Sequence, residues 1–138
     1  MIEIKEGLEW VDFETVAAWL ASSYWSPGIS QTKVEKAAEG ASLVIGVYDG
    51  EIQAGYCRVV SDRETFAWLC DVFVNPDYRG QGLATKMVAY ALEHPDHQGL
   101  RRWMLATRDA HAVYEKLGFE SVPIPEHMMV LVPKAPAA

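Results

Sequence analysis

Apolar and polar positions alternate at the start of the chain, Ile2 and Ile4 against Glu3 and Lys5, which is the period of a half-buried strand. The period then changes. Phe13, Val16, Ala17, Leu20 and Ala21 recur at helical spacing behind Asp12, a favoured N-cap residue, and predict a first helix. Ser22 to Gly28 is loop by composition, and residues 31–39 predict a second helix that ends near Gly40. Strands rich in Val, Leu and Ile are predicted over 42–48, 51–60 and 65–74, with Asp49-Gly50 as a hairpin turn between the first two. Gly55 inside the middle strand marks a bulge or a close backbone approach. Leu83, Ala84, Met87, Val88, Ala91 and Leu92 share one face of a helix over 83–94, stopped by Pro95. A short buried strand over 102–106 follows, then a helix over 110–117 capped by Asp109 and closed by Gly118. Phe119–Val122 and Met128–Val132 read as final strands separated by Pro123 and Pro125, and residues 133–138 as a frayed tail.

This order has a topological consequence. The hairpins require antiparallel pairing, while the strand–loop–helix–strand unit over 69–106 requires a right-handed crossover and a parallel pair. The expectation is an α+β domain in α/β/α layers, with a mixed, mostly antiparallel twisted sheet covered by helices on both faces. No repeat or linker divides it, so residues 1–132 read as one domain.

Bulk properties narrow the partners. In 138 residues, no apolar run approaches the roughly 20 of a membrane span, and Met1–Glu6 is charged, unlike a signal peptide. A cytoplasmic protein with no membrane partner is expected. The net charge of −7 argues against nucleic acid, which needs a basic footprint, and is compatible with a cationic amine. Cys57 and Cys70 lie in apolar strand segments and read as buried thiols, and His94-Pro95-Asp96-His97 reads as a solvated helix end. No metal is expected.

The chain is organised around Leu69–Thr85: an apolar strand, a turn opened by Asn75-Pro76, a glycine-containing loop, and a helix beginning near Leu83. Glycines at the mouth of a helix, beside its free N–H groups and positive dipole end, make an anion site suited to phosphate. The third glycine of a dinucleotide fingerprint is missing, and so is the Gly-Lys-Ser/Thr of a P-loop. What remains, Arg79-Gly80-Gln81-Gly82-Leu83-Ala84, resembles the Arg/Gln-x-x-Gly-x-Gly/Ala acyl-CoA pyrophosphate loop of the GNAT superfamily of N-acetyltransferases. Ala110-His111-Ala112-Val113-Tyr114-Glu115-Lys116-Leu117-Gly118-Phe119 is similar to that family's Ala-x-x-x-Tyr-Glu-Lys-x-Gly-Phe helix. On these two motifs, in order and on the predicted elements, the chain is identified as a member of the superfamily, the resemblance covering residues 40 to 132.

That resemblance implies the GNAT fold, acetyl-CoA as acyl donor, and a homodimer as the expected assembly. It implies that Arg79, Gly80, Gly82, Leu83, Ala84 and Thr85 hold the pyrophosphate, and that the main chain of Val72, Phe73 and Val74 bonds to pantetheine as an added strand. Thr107 stands where many relatives carry an asparagine that bonds the pantetheine arm. Tyr114 takes the family's catalytic position: a phenol of pKa about 10 can protonate a departing thiolate while remaining neutral at pH 7.

Asp71 is a carboxylate in an otherwise apolar strand. By alternation it faces opposite Val72, with Leu69 and Phe73. It could bind or deprotonate an amine, or it could pair with a basic residue or cap a backbone group. Some polyamine-acetylating relatives carry Glu-Asp where this chain has Cys70-Asp71, which argues against a polyamine acceptor. His111, one turn before Tyr114, could act as base or orient the tyrosine, or be a surface or packing residue of the helix. Tyr24, Trp25 and Ser26 fall in the loop that often shapes the acceptor site in the family, with Trp68 and Tyr56 as further lining candidates. The expected activity is acetyl-CoA-dependent transfer to a primary amine, on a small molecule or a peptide, by direct transfer. The alternative is a non-catalytic acyl-CoA sensor or partner module.

Overall fold

The structure is a computed structural model and describes residues 1–134. The chain opens with β1 (Ile2–Glu6), and the Asp12 carboxylate then accepts the Thr15 amide to start α1 (Phe13–Ala21). Ser30 caps α2 (Gln31–Glu39) in the same way, by accepting from Lys33. Strands β2 (Leu43–Asp49), β3 (Ile52–Ser61) and β4 (Phe66–Val74) form the meander, turning at Gly50 with φ +60°. Helix α3 (Leu83–Glu93) crosses to β5 (Arg102–Met104), and α4 (His111–Glu115) follows. The sheet has five strands in sequence order, antiparallel except for the β4–β5 pair.

Alternation along the strands feeds two cores. Leu43, Ile45, Val47, Cys57, Val59 and Leu69 point to the α3 side, where Leu83, Met87, Val88 and Ala91 meet them. Val44 and Tyr56 point to the other side and pack on Val16, Leu20, Val34 and Ala38 of α1 and α2. Burial of each large aliphatic side chain contributes roughly 1.5–3 kcal/mol. Gly55 meets both expectations for it. A bulge places Ala54 as an extra residue beside it, and a Cβ there would lie 3.0 Å from Met87 Cε.

A second bulge was not legible in the sequence. Tyr56 pairs with Phe73 and Arg58 with Cys70, so Asp71 and Val72 together oppose Cys57. Asp71 takes the left-handed conformation, φ +56°, which Asp tolerates better than most residues. The bulge breaks the alternation assumed for this strand: Leu69 and Val72 pack in the α3-side core, whereas Phe73 packs on the α1–α2 side. Asp71 therefore does not share a face with Leu69.

Other expectations are corrected. Asp109 does not cap α4: its N-cap is Ala110, with no side-chain cap, and just ahead of the helix Thr107 Oγ1 accepts the Ala110 amide at 3.0 Å. Its end agrees with the sequence: Gly118 and Phe119 donate to the Glu115 and Tyr114 carbonyls across a φ of +97° at Gly118. His97 is buried rather than solvated, edge-on to Trp103 and 2.8 Å from the Ser42 hydroxyl, and burial pushes its pKa down. His94 holds the corner with its ring, bonding Glu6 and accepting the Asp96 amide. Cys57 is buried as expected, but Cys70 is only partly so. Neither Phe119–Val122 nor Met128–Val132 forms a strand; a short 3-10 turn at Pro125–His127 lies between them. Residues 135–138 of the expected tail lie outside the described residues. Among those described, no helix is long and apolar enough to cross a membrane.

Candidate active site

β4 and β5 pair only from Phe66↔Arg102 to Trp68↔Met104. Beyond that point the two segments part, and a cleft of about 930 Å³ opens with Leu69–Val74 on one wall and Leu105–Thr107 on the other. A diverging parallel pair leaves main-chain groups of β4 free on that side, so an extended ligand can add to it.

One end of the cleft is the loop before α3. Gly80 and Gly82 sit at φ +82° and +74°, a region glycine enters without strain, and a Cβ at either would meet no neighbour. Gly82 has no side chain with which to cap the helix, and the Gly82 carbonyl takes its bond from Lys86. The N–H groups of Leu83, Ala84 and Thr85 ahead of it are thus left for a ligand at the positive end of an eleven-residue helix. The Leu83 side chain is buried in the core, so only its backbone serves the cleft. Arg79 donates from Nε to the Val74 carbonyl at 3.2 Å and lays its guanidinium 5.4 Å from the Phe73 ring. The donor set is amide and guanidinium, with no carboxylate among residues 78–85; it fits a pyrophosphate.

Tyr114 stands on the wall at the β5 side, packed edge-on against Phe119 at 5.9 Å. Burial pushes its phenol up to about 12, so it keeps its proton through neutral pH. Thr107 lines the same wall while its oxygen accepts the Ala110 amide ahead of α4.

The other end is made by side chains from separate segments. Asp71 is held twice: Arg58 Nε donates to Oδ2 at 2.7 Å, and Trp25 Nε1 donates to Oδ1 at 3.0 Å. Both members of that ion pair are largely shielded, with side-chain exposures of 19% and 10%. Trp25 meets Tyr24 edge-on at 5.0 Å, and the Tyr24 hydroxyl accepts the Arg108 amide at 2.7 Å. Arg108 also lies over the Tyr24 ring at 3.9 Å, so the loop after α1 is tied to the segment leading into α4.

The cleft therefore brings together Tyr24, Trp25, Ser26, Trp68, Asp71, Val72, Phe73, Val74, Arg79, Gly80, Gly82, Leu83, Ala84, Thr85, Thr107 and Tyr114. It excludes two candidates. Tyr56 is fully buried against α1 and α2, and His111 is exposed and lines a different groove. Sequence reasoning missed Arg58. A signal was present: Arg58 and Asp71 are lone opposite charges in neighbouring apolar strands of one meander, and such charges must find each other or stay unpaired.

The Acetyltransferase (GNAT) family profile matches residues 4–119. The stretch over which the chain is 32% identical to an uncharacterized N-acetyltransferase of Escherichia coli K12 is 81 residues, 54% of this chain and 48% of that protein. An uncharacterized N-acetyltransferase of Methanocaldococcus jannaschii is 31% identical over 70 residues, 46% of this chain and 31% of that protein. The chain thus spans less than half the length of the curated relatives it matches. A crystal structure from Xanthomonas campestris, assigned to the GNAT family, superposes with a TM-score of 0.91 at 33% identity, covering 96% of this chain and 94% of that one. A Clostridium acetobutylicum structure solved with acetyl-CoA shares the fold at a TM-score of 0.70 and 13% identity, covering 96% of each chain. With both motifs seated on one cleft and the profile running from β1 to the end of α4, the chain belongs to the GNAT acetyltransferase family.

Proposed function

We propose that this protein is an acetyl-CoA-dependent N-acetyltransferase that moves an acetyl group to a primary amine, of a small molecule or a peptide, by direct transfer. The observation that carries the reading is the continuity of one cleft, which joins an amide-lined anion cradle, Tyr114 and the Arg58–Asp71 pair. Acetyl-CoA supplies an acetyl group activated as a thioester. The amides of residues 83–85 and Arg79 hold its pyrophosphate, and the free side of β4 at Val72, Phe73 and Val74 aligns the pantetheine arm. A backbone N–H on that strand polarises the carbonyl that is attacked.

Tyr114 holds a proton at its phenol oxygen and gives it to the departing sulfur. Thr107 offers its hydroxyl to the arm while its oxygen accepts the Ala110 amide. Asp71 supplies negative charge at the acceptor end, drawing in an ammonium and taking up the proton that must leave before the nitrogen attacks. Arg58 and Trp25 fix the orientation of that carboxylate. Tyr24 and Trp25 give the acceptor an aromatic wall.

The test is CoA thiol release from acetyl-CoA with pooled amines, amino acids and peptides, for the wild type beside Tyr114→Phe. Release that depends on one pool and collapses in the variant is expected. Acetyl-CoA binding without release from any pool would overturn the enzymatic reading in favour of a sensor.

A further inference from the structure

Arg58 leaves one edge of its guanidinium unused at the acceptor end of the cleft. It stands in β3 between Cys57 and Val59, both fully buried, and its side chain is itself largely shielded. Nε donates to Asp71 Oδ2 at 2.7 Å. The terminal nitrogens have no hydrogen-bond partner among the described residues, yet they are not sealed off. The fully buried side-chain atoms without a partner there are the Tyr56 hydroxyl oxygen and His97 Nδ1. Arg58 lines the cleft, and the free edge of the fork is what it has left to present there. A guanidinium so shielded ordinarily spends its donors on protein groups. A planar pair of N–H donors held back from them has the geometry that takes a carboxylate.

The charge balance points the same way. Asp71 is neutralised by Arg58, and its Oδ1 accepts from Trp25. The second carboxylate on the cleft wall, Asp109, lies 3.8 Å from Arg108 Nη2. A neutral pair offers a simple monocationic amine little net attraction, whereas a zwitterion meets both halves of the pair. Each Asp71 oxygen keeps a further lone pair for an ammonium. Tyr24, Trp25 and Trp68 line the same cleft and give an apolar substituent something to pack on.

We propose that the acceptor is a free α-amino acid with an apolar side chain, its ammonium on Asp71 and its carboxylate on the terminal nitrogens of Arg58. This rests on the transferase reading above and narrows its acceptor to one class. In the transfer an N–C bond forms to the acetyl carbon, the C–S bond breaks, and the sulfur leaves with the Tyr114 proton. One ammonium proton departs through Asp71, a second replaces the proton on Tyr114, and the third stays on the new amide. The α-carboxylate remains on Arg58 unchanged, so Arg58 is a specificity residue and takes no part in the proton transfers.

The test compares L-leucine, L-methionine, L-phenylalanine and L-tryptophan with their α-amides and with the corresponding amines that lack the carboxyl group. CoA thiol release from acetyl-CoA is measured for each, beside calorimetric titration into the protein saturated with CoA. Arg58→Lys keeps a positive charge next to Asp71 but has no second edge to its head group. In the wild type at least one acid is expected to exceed its own amide and amine tenfold or more in kcat/KM, a comparison that needs no variant. In Arg58→Lys that acid should lose at least tenfold in kcat/KM and in affinity, with the amide and amine within twofold. Arg58-dependent binding of an acid, with no thiol released from any acceptor, would support the carboxylate site and overturn the transferase reading alone. Equal use of acids, amides and amines, or an equal loss on all of them in Arg58→Lys, would overturn the proposal. So would thiol release with other amines and neither binding nor release with the acids, which leaves the transferase reading intact.

Discussion

At the end of the cleft formed by residues 80–85, the inward-facing groups are chiefly amides of a single turn. At the opposite end they come from the loop after α1, from β3, from the bulge in β4 and from the segment before α4. The first kind of site needs only local geometry: a left-handed glycine, an uncapped helix start and a strand that delivers the loop. The second needs a sheet register, a bulge and two loops to be correct together. Under the proposed function, the backbone site is consequently blunt, recognising an anion by charge and main-chain geometry, whereas acceptor identity is assigned to the side-chain site.

The largest expected effect falls between the two ends. Tyr114→Phe should lower kcat by about 10²–10⁴-fold and leave acetyl-CoA affinity within about twofold, since it removes a proton and no binding surface. Steady-state kinetics and calorimetry on one preparation check this, and equal losses in both would erase the distinction. The wild-type rate should also show no alkaline fall from this group below about pH 10, because burial raises its phenol to about 12.

Gly82→Val comes next. A β-branched residue forced to φ +74° costs about 1–3 kcal/mol or displaces the loop, so acetyl-CoA affinity should fall by about 10–100-fold. Acceptor KM, extrapolated to saturating donor, should move little. Asp71→Asn should do the reverse, raising acceptor KM by about tenfold with donor affinity retained. A double-mutant cycle with Arg58→Met on thermal stability should return a coupling of about 0.5–3 kcal/mol, as expected for a contact pair.

The smallest effect belongs to a site outside both ends. His97 is buried and its pKa is depressed, so the folded state binds fewer protons than the unfolded state as pH falls. Its stabilising contribution is complete above the unfolded value of about 6.5 and is lost below it. His97→Leu should flatten the decline in Tm between pH 7 and 5 while leaving both KM values unchanged. A slope identical to the wild type would remove His97 from the account.

The same local-versus-assembled contrast governs what could be read from sequence. The helix cap at Asp12, the Asp49-Gly50 turn and the glycine loop are decided by neighbours in the chain, and the structure agrees with them. The bulge at Asp71 depends on the register of β3 against β4, and no one-strand pattern contains that information. His97 looked solvated because its partners, Ser42 and Trp103, lie far along the chain or on a later strand. The final strands failed for a related reason. Met128–Val132 carries strand propensity, but a strand needs a neighbour, and among the described residues none pairs with it.

The most direct test is a calorimetric titration of acetyl-CoA into the wild type, Gly82→Val and Asp71→Asn. The account predicts loss of affinity for Gly82→Val alone, with Asp71→Asn binding as the wild type does. Undiminished binding by Gly82→Val, or an equal loss in both variants, would contradict a donor end built from backbone and an acceptor end built from side chains.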